Sequence, residues 1–189
     1  CVDDNLAYIS IFEDDILLGE NAEQFLANDE WLKVRFNFQE IFVLRLETFL
    51  MPVQLVHQQQ ILPFQERNID ILKSKHFGTA GYIISNGAAK YLINLFEKLA
   101  VEEVKAIDEI MFNEQINVGL YQVYQLNPAI CVQELQLNQE NSLLVSDLQQ
   151  ERKKNTAVHT KKTLKQRLIR VKENIIRALN KEKWKEQQR

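Results

Sequence analysis

Between Leu6 and about Gln136 the apolar residues fall into short runs broken by polar turns, and two spacings alternate. "LAYISIF" is rich in β-branched and aromatic residues and stops at a charged cluster, which predicts a strand. "NAEQFLANDEWL" predicts a helix with Asn21 as a cap and Phe25 and Leu26 available for burial. "EIFVLRLETF" and "PVQLVHQQQILPF" read as two strands separated at Pro52. "RNIDILKSKHFGTAGYIIS" carries two further strand-like runs around a glycine-containing turn. From Asn86 to Leu99, Ala88, Ala89, Leu92, Leu95, Phe96 and Leu99 repeat at helical spacing, and Asn86 can cap the helix. "AIDEIMFNEQIN" predicts another helix that ends at Gly119, with Met111 and Phe112 on its buried face. "LYQVYQLNPAICVQE" gives two strand-like pieces around Asn127-Pro128. Strands alternating with helices predict an α/β chain over residues 1–135.

Beyond that point the pattern decays into a polar linker over 136–159. In the last section, 160–189, Leu164, Leu168, Val171, Ile175 and Leu179 form one apolar stripe, and Lys165, Arg170, Lys172, Arg177 and Lys181 lie mostly off it. That is a basic amphipathic helix.

Charge separates the same two parts. The chain's net charge of −3 divides into +11 from Arg152 onward, where 14 basic residues face 3 acids, and −14 before it, where 9 face 23. So acidic a body excludes nucleic acid as a partner of its main surface, whereas the tail can approach a polyanion. A hydrophobic share of 46% and a charged share of 26% are those of a globular protein. No apolar run reaches the roughly 20 residues that cross a bilayer. The amino end "CVDDNLAY" has no signal-peptide character and no initial Met, so a fragment or a processed product is expected. Two cysteines far apart, Cys1 and Cys131, argue against a zinc site or a disulfide scaffold and fit a reducing compartment.

The feature that asks for chemistry is "AYISIFEDDILLG", in which Glu13, Asp14 and Asp15 close an apolar run. Three adjacent carboxylates repel one another unless something positive lies between them. Magnesium or manganese would relieve that repulsion, since these cations bridge one or two carboxylates to a substrate's phosphates. A solvated acidic turn leading into the next helix fits the same residues.

Taken in order, "YISIFEDDILLG", "HFGTAGYIISNGAAKYLI" and "AIDEIMF" resemble glycosyltransferase family 25, the lipooligosaccharide-biosynthesis glycosyltransferases of Gram-negative bacteria. The resemblance implies a GT-A-like nucleotide-sugar-binding sandwich and transfer of galactose or glucose from a UDP-sugar to a lipooligosaccharide core sugar, with inversion. It implies Mn2+ or Mg2+ on the donor diphosphate, held by Asp15 first and by Asp14, which can also serve the donor ribose. Glu13 is less clearly placed, because neighbouring strand residues point to opposite faces. "HFGTAGY" then fits an active-site loop: Gly78 and Gly81 allow close approach to a sugar or phosphate, and Thr79 and Tyr82 offer hydroxyls. His76 could assist the diphosphate or the metal, although a lone His is commonly a hydrogen-bonding surface residue. Asp108 and Glu109 open a helix, where acids are favoured in any case. As function, one of them is the general base for the acceptor hydroxyl, and the family motif favours Asp108.

Family members usually carry an amino-terminal segment ahead of the E-D-D strand, and "CVDDNLAY" resembles the exit of its last helix. The expectation is a carboxyl-terminal portion lacking much of the uracil pocket. The basic helix would dock on anionic headgroups at the cytoplasmic face of the inner membrane, with Trp184 at the interface. The competing reading is a catalytically inactive fragment kept as a sugar-binding or scaffold remnant.

Overall fold

The computed structural model describes residues 1–37, 39–116, 118–137 and the short strand 184–186. In chain order the elements begin with β1 (Tyr8–Phe12), β2 (Ile16–Leu18), α1 (Ala22–Leu26), α2 (Glu30–Lys33), β3 (Phe42–Arg45) and β4 (Glu47–Thr48). β5 (Pro52–His57), β6 (Asn68–Leu72), β7 (Gly81–Ser85), α3 (Asn86–Phe96) and α4 (Ile107–Glu109) follow. α4 runs directly into a π-helical turn, Ile110–Glu114, before β8 (Gln122–Asn127), β9 (Cys131–Gln133), α5 (Glu134–Leu137) and β10 (Trp184–Glu186).

These strands build an α/β fold around a mixed sheet of order β1-β7-β3-β8-β6-β5-β10 and a small sheet of order β2-β9-β4. Among the described residues of the large sheet only β3 and β8 run parallel; the other neighbouring pairs are antiparallel. Leu46 is the junction between the sheets. Its N–H donates to Gly81 O in one, and its carbonyl accepts from Ile130 and Cys131 in the other.

Alternation along the strands sends apolar side chains to two cores. Phe42, Leu44, Ile69, Tyr124 and Leu126 join the aromatic residues of α1 and α2 on one face. Val43, Val53, Leu55, Leu72, Ile84 and Val123 pack on the other against Leu92 of α3 and Met111 and Phe112 of the π-helical turn. One register row on that second face is polar: Tyr82 stands beside Arg45, then Gln125, Asp70 and His57. Arg45, Gln125 and Asp70 are buried there.

Several local expectations shift. The segment after Gly19 makes two short helices, not one, and Asn21 lies in the left-handed region (φ 60°) without a side-chain cap. The N-cap of α3 is Ser85, whose hydroxyl accepts from Ala88 N, one residue before the expected cap. Asn86 is the first helical residue, and its amide donates to the carbonyls of Cys1 and Leu6. α4 is three residues long because its hydrogen bonding changes to the π pattern, which buries Ile110, Met111 and Phe112.

Among the described residues no helix is long and apolar enough to cross a membrane. The expected linker 136–159 lies outside the described residues apart from Gln136 and Leu137, which belong to α5. The expected helix 160–189 also lies outside them, apart from β10, which is extended and pairs with β5.

Candidate active site

β1 carries the acids to the edge of the large sheet. Tyr8 and Phe12 contribute to one core and Ile9 and Ile11 to the other, so the strand is fixed on both faces. The ladder extends one residue further, since Glu13 N–H donates to Ala80 O at 2.9 Å. The three carboxylates then part company. Glu13 Oε1 accepts from the Thr79 hydroxyl at 3.0 Å, and its Oε2 accepts from Gln133 Nε2 at 2.9 Å. The same amide nitrogen reaches Asp15 Oδ2 at 3.4 Å. Asp14 is exposed. Gln133 thus supplies polar hydrogens between two of the acids, and it is held there by the pairing of β2 with β9, in which it stands opposite Ile16. Asp15 Oδ1 is buried and has no hydrogen-bond partner among the described residues.

Beneath this rim, the loop from His76 to Ala80 wraps a buried ion pair. Arg45 and Glu47 are 0% and 1% exposed, and Arg45 Nη2 donates to Glu47 Oε1 at 2.9 Å. The guanidinium also donates to the carbonyls of Gly78 (2.7 Å) and Phe77 (2.8 Å) and to Gln125 Oε1 (3.3 Å). Its flat face lies 4.2 Å from the Phe112 ring centroid, a cation–π contact. Glu47 Oε1 accepts a second bond, from Ala80 N at 2.9 Å, while Glu47 Oε2 is buried without a partner among the described residues. Burial pushes the Glu47 carboxyl up to about 7, against the pull of Arg45, and lowers Arg45 from its ordinary range. Gly78 has φ +81°, and a Cβ there would meet Glu47 Oε2 at 3.0 Å. Both the backbone and the space call for glycine.

α4 approaches the same loop. Asp108 Oδ2 accepts from Gly78 N at 3.1 Å, and its Oδ1 accepts from Glu109 N. Glu109 turns the other way: it accepts from Asn113 and pairs with Lys75 at 3.5 Å, where both partners are partly exposed. Loop 76–80 therefore ties the end of β1, through Thr79, to Asp108, through Gly78.

Residues 1–111 match the family described as "Glycosyltransferase family 25 (LPS biosynthesis protein)". The chain is a member of that family. It is 61% identical over 189 residues, its whole length and 63% of the relative's, to the lipooligosaccharide biosynthesis protein lex-1 of Haemophilus influenzae. It is 44% identical over 154 residues to the lacto-N-neotetraose biosynthesis glycosyltransferase LgtE of Neisseria gonorrhoeae, covering 80% of this chain and 55% of the relative. To LgtB of Neisseria meningitidis serogroup B it is 39% identical over 194 residues, covering 99% of this chain and 70% of the relative. The chain spans about three-fifths of the length of the first two of these relatives.

Within this family 25 chain the expected site residues fall into three sets: Asp14, exposed, and Glu109, turned to Lys75 and Asn113, stand apart from the two that follow. Glu13, Asp15, Gly78, Thr79 and Asp108 are linked by the bonds above. His76, Gly81 and Tyr82 are interior. His76 is 0% exposed, and its Nδ1–H donates to Phe77 O at 2.6 Å. A Cβ on Gly81 would come within 2.5 Å of Cys131 Sγ, so that glycine serves the packing of the two sheets. Tyr82 stands edge-on to Phe112 in the core. Burial removes these three from the open surface a substrate would reach.

Sequence reasoning missed Arg45, Glu47, Gln125 and Gln133. A signal for the first two was present: opposite charges two apart in "LRLE", inside an otherwise apolar run.

Among the described residues, no group of three or more His, Cys, Asp or Glu side chains could hold a metal by itself. The unpartnered Oδ1 of Asp15 and the exposed Asp14 still suit a hard cation. Magnesium and manganese take one or two carboxylates and complete their shells with water and substrate phosphates. On the first-core face of β1 a cleft of about 440 Å³ is lined by Tyr8, Ser10, Phe12, Phe25, Trp31 and Ile83 among others. None of the three adjacent acids lines it.

Proposed function

We propose that the protein is a hexosyltransferase of lipooligosaccharide biosynthesis, moving galactose or glucose from a UDP-sugar to a core sugar with inversion. The observation that carries this reading is the single loop joining the β1 carboxylates to Asp108, within a chain whose relatives are lipooligosaccharide and lacto-N-neotetraose biosynthesis proteins. The mixed sheet with acids at the end of a strand supports a GT-A-like arrangement.

Asp15 and Asp14 are the residues to hold manganese or magnesium. That cation would supply Lewis-acid neutralisation of the donor diphosphate. Thr79 and Gln133 orient Glu13 beside it, and Glu13 serves the donor as a hydrogen-bond acceptor. Asp108 takes the proton of the acceptor hydroxyl as its oxygen bonds to the hexose C1 and the bond from C1 to the diphosphate breaks. UDP carries away the electron pair. Asp108 is the better base than Glu109 because it faces the loop, whereas Glu109 is engaged with Lys75 and Asn113. Residues 160–189, with their apolar stripe and basic flanks, support docking on anionic headgroups at the cytoplasmic face of the inner membrane. Flotation with anionic but not neutral liposomes would test that part.

The test of the reaction is transfer from UDP-galactose or UDP-glucose, with manganese, to lipooligosaccharide, with the anomeric configuration of the product read by NMR. Transfer with inversion that Asp108→Asn abolishes is expected. A folded protein that transfers from neither donor, or an Asp108→Asn variant as fast as the parent, would sink the reading. Binding of sugar without turnover would favour the scaffold-remnant alternative.

A further inference from the structure

Glu47 lies buried under the loop, and the reaction as described does not use it. Its position is unusual in four respects. The side chain is buried, its Oε1 takes both Ala80 N–H and Arg45 Nη2–H, its Oε2 has no partner among the described residues, and Gly78 leaves it room. Arg45, which it neutralises, spends two further bonds on the carbonyls of Phe77 and Gly78. Three consecutive peptide units of the loop are therefore fixed by one ion pair: Phe77 O, Gly78 O and Ala80 N. The same short stretch carries the Thr79 hydroxyl to Glu13 and the Gly78 amide to Asp108. A buried ion pair is a poor device for stability, since desolvation offsets much of the attraction and an apolar pair of similar volume often does as well. Its use here is geometric.

We propose that Glu47 is a positioning residue of the transfer site: with Arg45 it sets the shape of loop 77–80, and through that loop it fixes Thr79 on Glu13 and Gly78 on Asp108. The role rests on the function proposed above, but the geometry it asserts does not. Charged and titratable groups face Glu47 from every side. Besides Arg45, they are Glu13 at the end of β1, Cys131 on β9 and Tyr82 on β7, while Asp108 on α4 acts on Arg45. His76 lies in the loop itself. Glu47 touches no substrate in this scheme; it acts through the backbone of its neighbours.

The test compares two variants of the full chain. Arg45→Met with Glu47→Leu removes the anchoring bonds while keeping an apolar pair of similar size. Glu47→Gln keeps an oxygen that can accept from Ala80 N and Arg45. Amide hydrogen exchange is read residue by residue beside the melting temperature. The double variant is expected to stay folded while Gly78 and Ala80 exchange about tenfold or more faster, as for a lost hydrogen bond, with amides of β5 and β6 unchanged. Glu47→Gln should restore most of that protection. In the transfer assay the double variant should lose about 100-fold in kcat, the scale of a misplaced catalytic group, with a smaller rise in the donor KM, since Glu13 keeps its Gln133 partner. Unaltered exchange at Gly78 and Ala80 in the folded double variant would overturn the proposal. So would unaltered kcat despite lost protection. If the parent chain transfers no hexose, the function proposed above fails, and the exchange arm still decides whether Glu47 shapes the loop.

Discussion

The rim at the end of β1 and the ion pair beneath it use the same residue types in opposite ways. Glu13 and Asp14 are exposed, and Glu13 is held by a threonine hydroxyl and a glutamine amide, neutral groups that leave its charge available to a ligand. Glu47 is buried, pushed up to about 7 by desolvation, and committed to Arg45 and to the Ala80 amide. Exposed carboxylates keep their hydration and can exchange it for a cation at small cost. A buried carboxylate has already lost that hydration, so its bonds are worth keeping only for the shape they impose. In the function proposed above one region would bind and the other would shape, and loop 76–80 joins them.

The comparison breaks most visibly at Asp108, which belongs to the binding side. Asp108→Asn should lower kcat by about 10²- to 10⁴-fold, the usual contribution of a general base. Its urea midpoint should stay close to that of the parent, because Asn can still accept from Gly78 N. A rate within a factor of a few would remove Asp108 from the chemistry.

On the buried side the expected damage is to stability. Arg45→Met alone leaves Glu47 uncompensated in the interior, a change that costs about 3–5 kcal/mol, measurable by urea denaturation. The double variant with Glu47→Leu should recover most of it. If the single and double variants are equally unstable, the pair is not the unit described above.

Proton linkage sharpens the same contrast. The folded-state Glu47 carboxyl lies near 7, above its ordinary value of 4.5. Below pH 4.5 both folded and unfolded chains hold the proton, and the group costs nothing. As pH rises toward 7 the unfolded chain ionises first, so this group's contribution becomes destabilising, reaching about 3 kcal/mol. Glu47→Gln should flatten stability across that window relative to the parent, by denaturation at pH 5, 6 and 7. Parallel pH curves for the two would contradict the buried environment assigned to Glu47.

The smallest effect lies at the seam of the two sheets. Gly81→Ala places a Cβ 2.5 Å from Cys131 Sγ, and such overpacking costs about 1–3 kcal/mol. Adding Cys131→Ala should relieve part of it, as a thermal shift assay would show.

What the chain's pattern made legible, and what it hid, follows from the same physics. β1, the core of α3 and the buried Met111 and Phe112 come from periodicity and from the halt at Glu13, which are local signals. β2 was missed because three residues, Ile16–Leu18, are too few to show a period. Ser85 outcompeted Asn86 as the cap because the strand's last residue is already extended when the helix begins. "LRLET" reads as part of a strand, and it is buried on both faces. The spacing of opposite charges in "LRLE" hints at a pair, but the pairing of β3 with β8 and the covering loop are what put Arg45 inside. Gln133, 120 residues from Glu13 in sequence, meets it for the same reason.

Whether the rim binds a cation can be read directly by adding substoichiometric manganese to the isotope-labelled chain and following paramagnetic broadening. The amides of Asp14 and Asp15 should broaden first, followed by those of Thr79 and Gln133, and Asp15→Asn should abolish the effect. Broadening centred elsewhere, on Asp3 and Asp4 or on Glu102 and Glu103, or broadening that survives Asp15→Asn, would contradict the account.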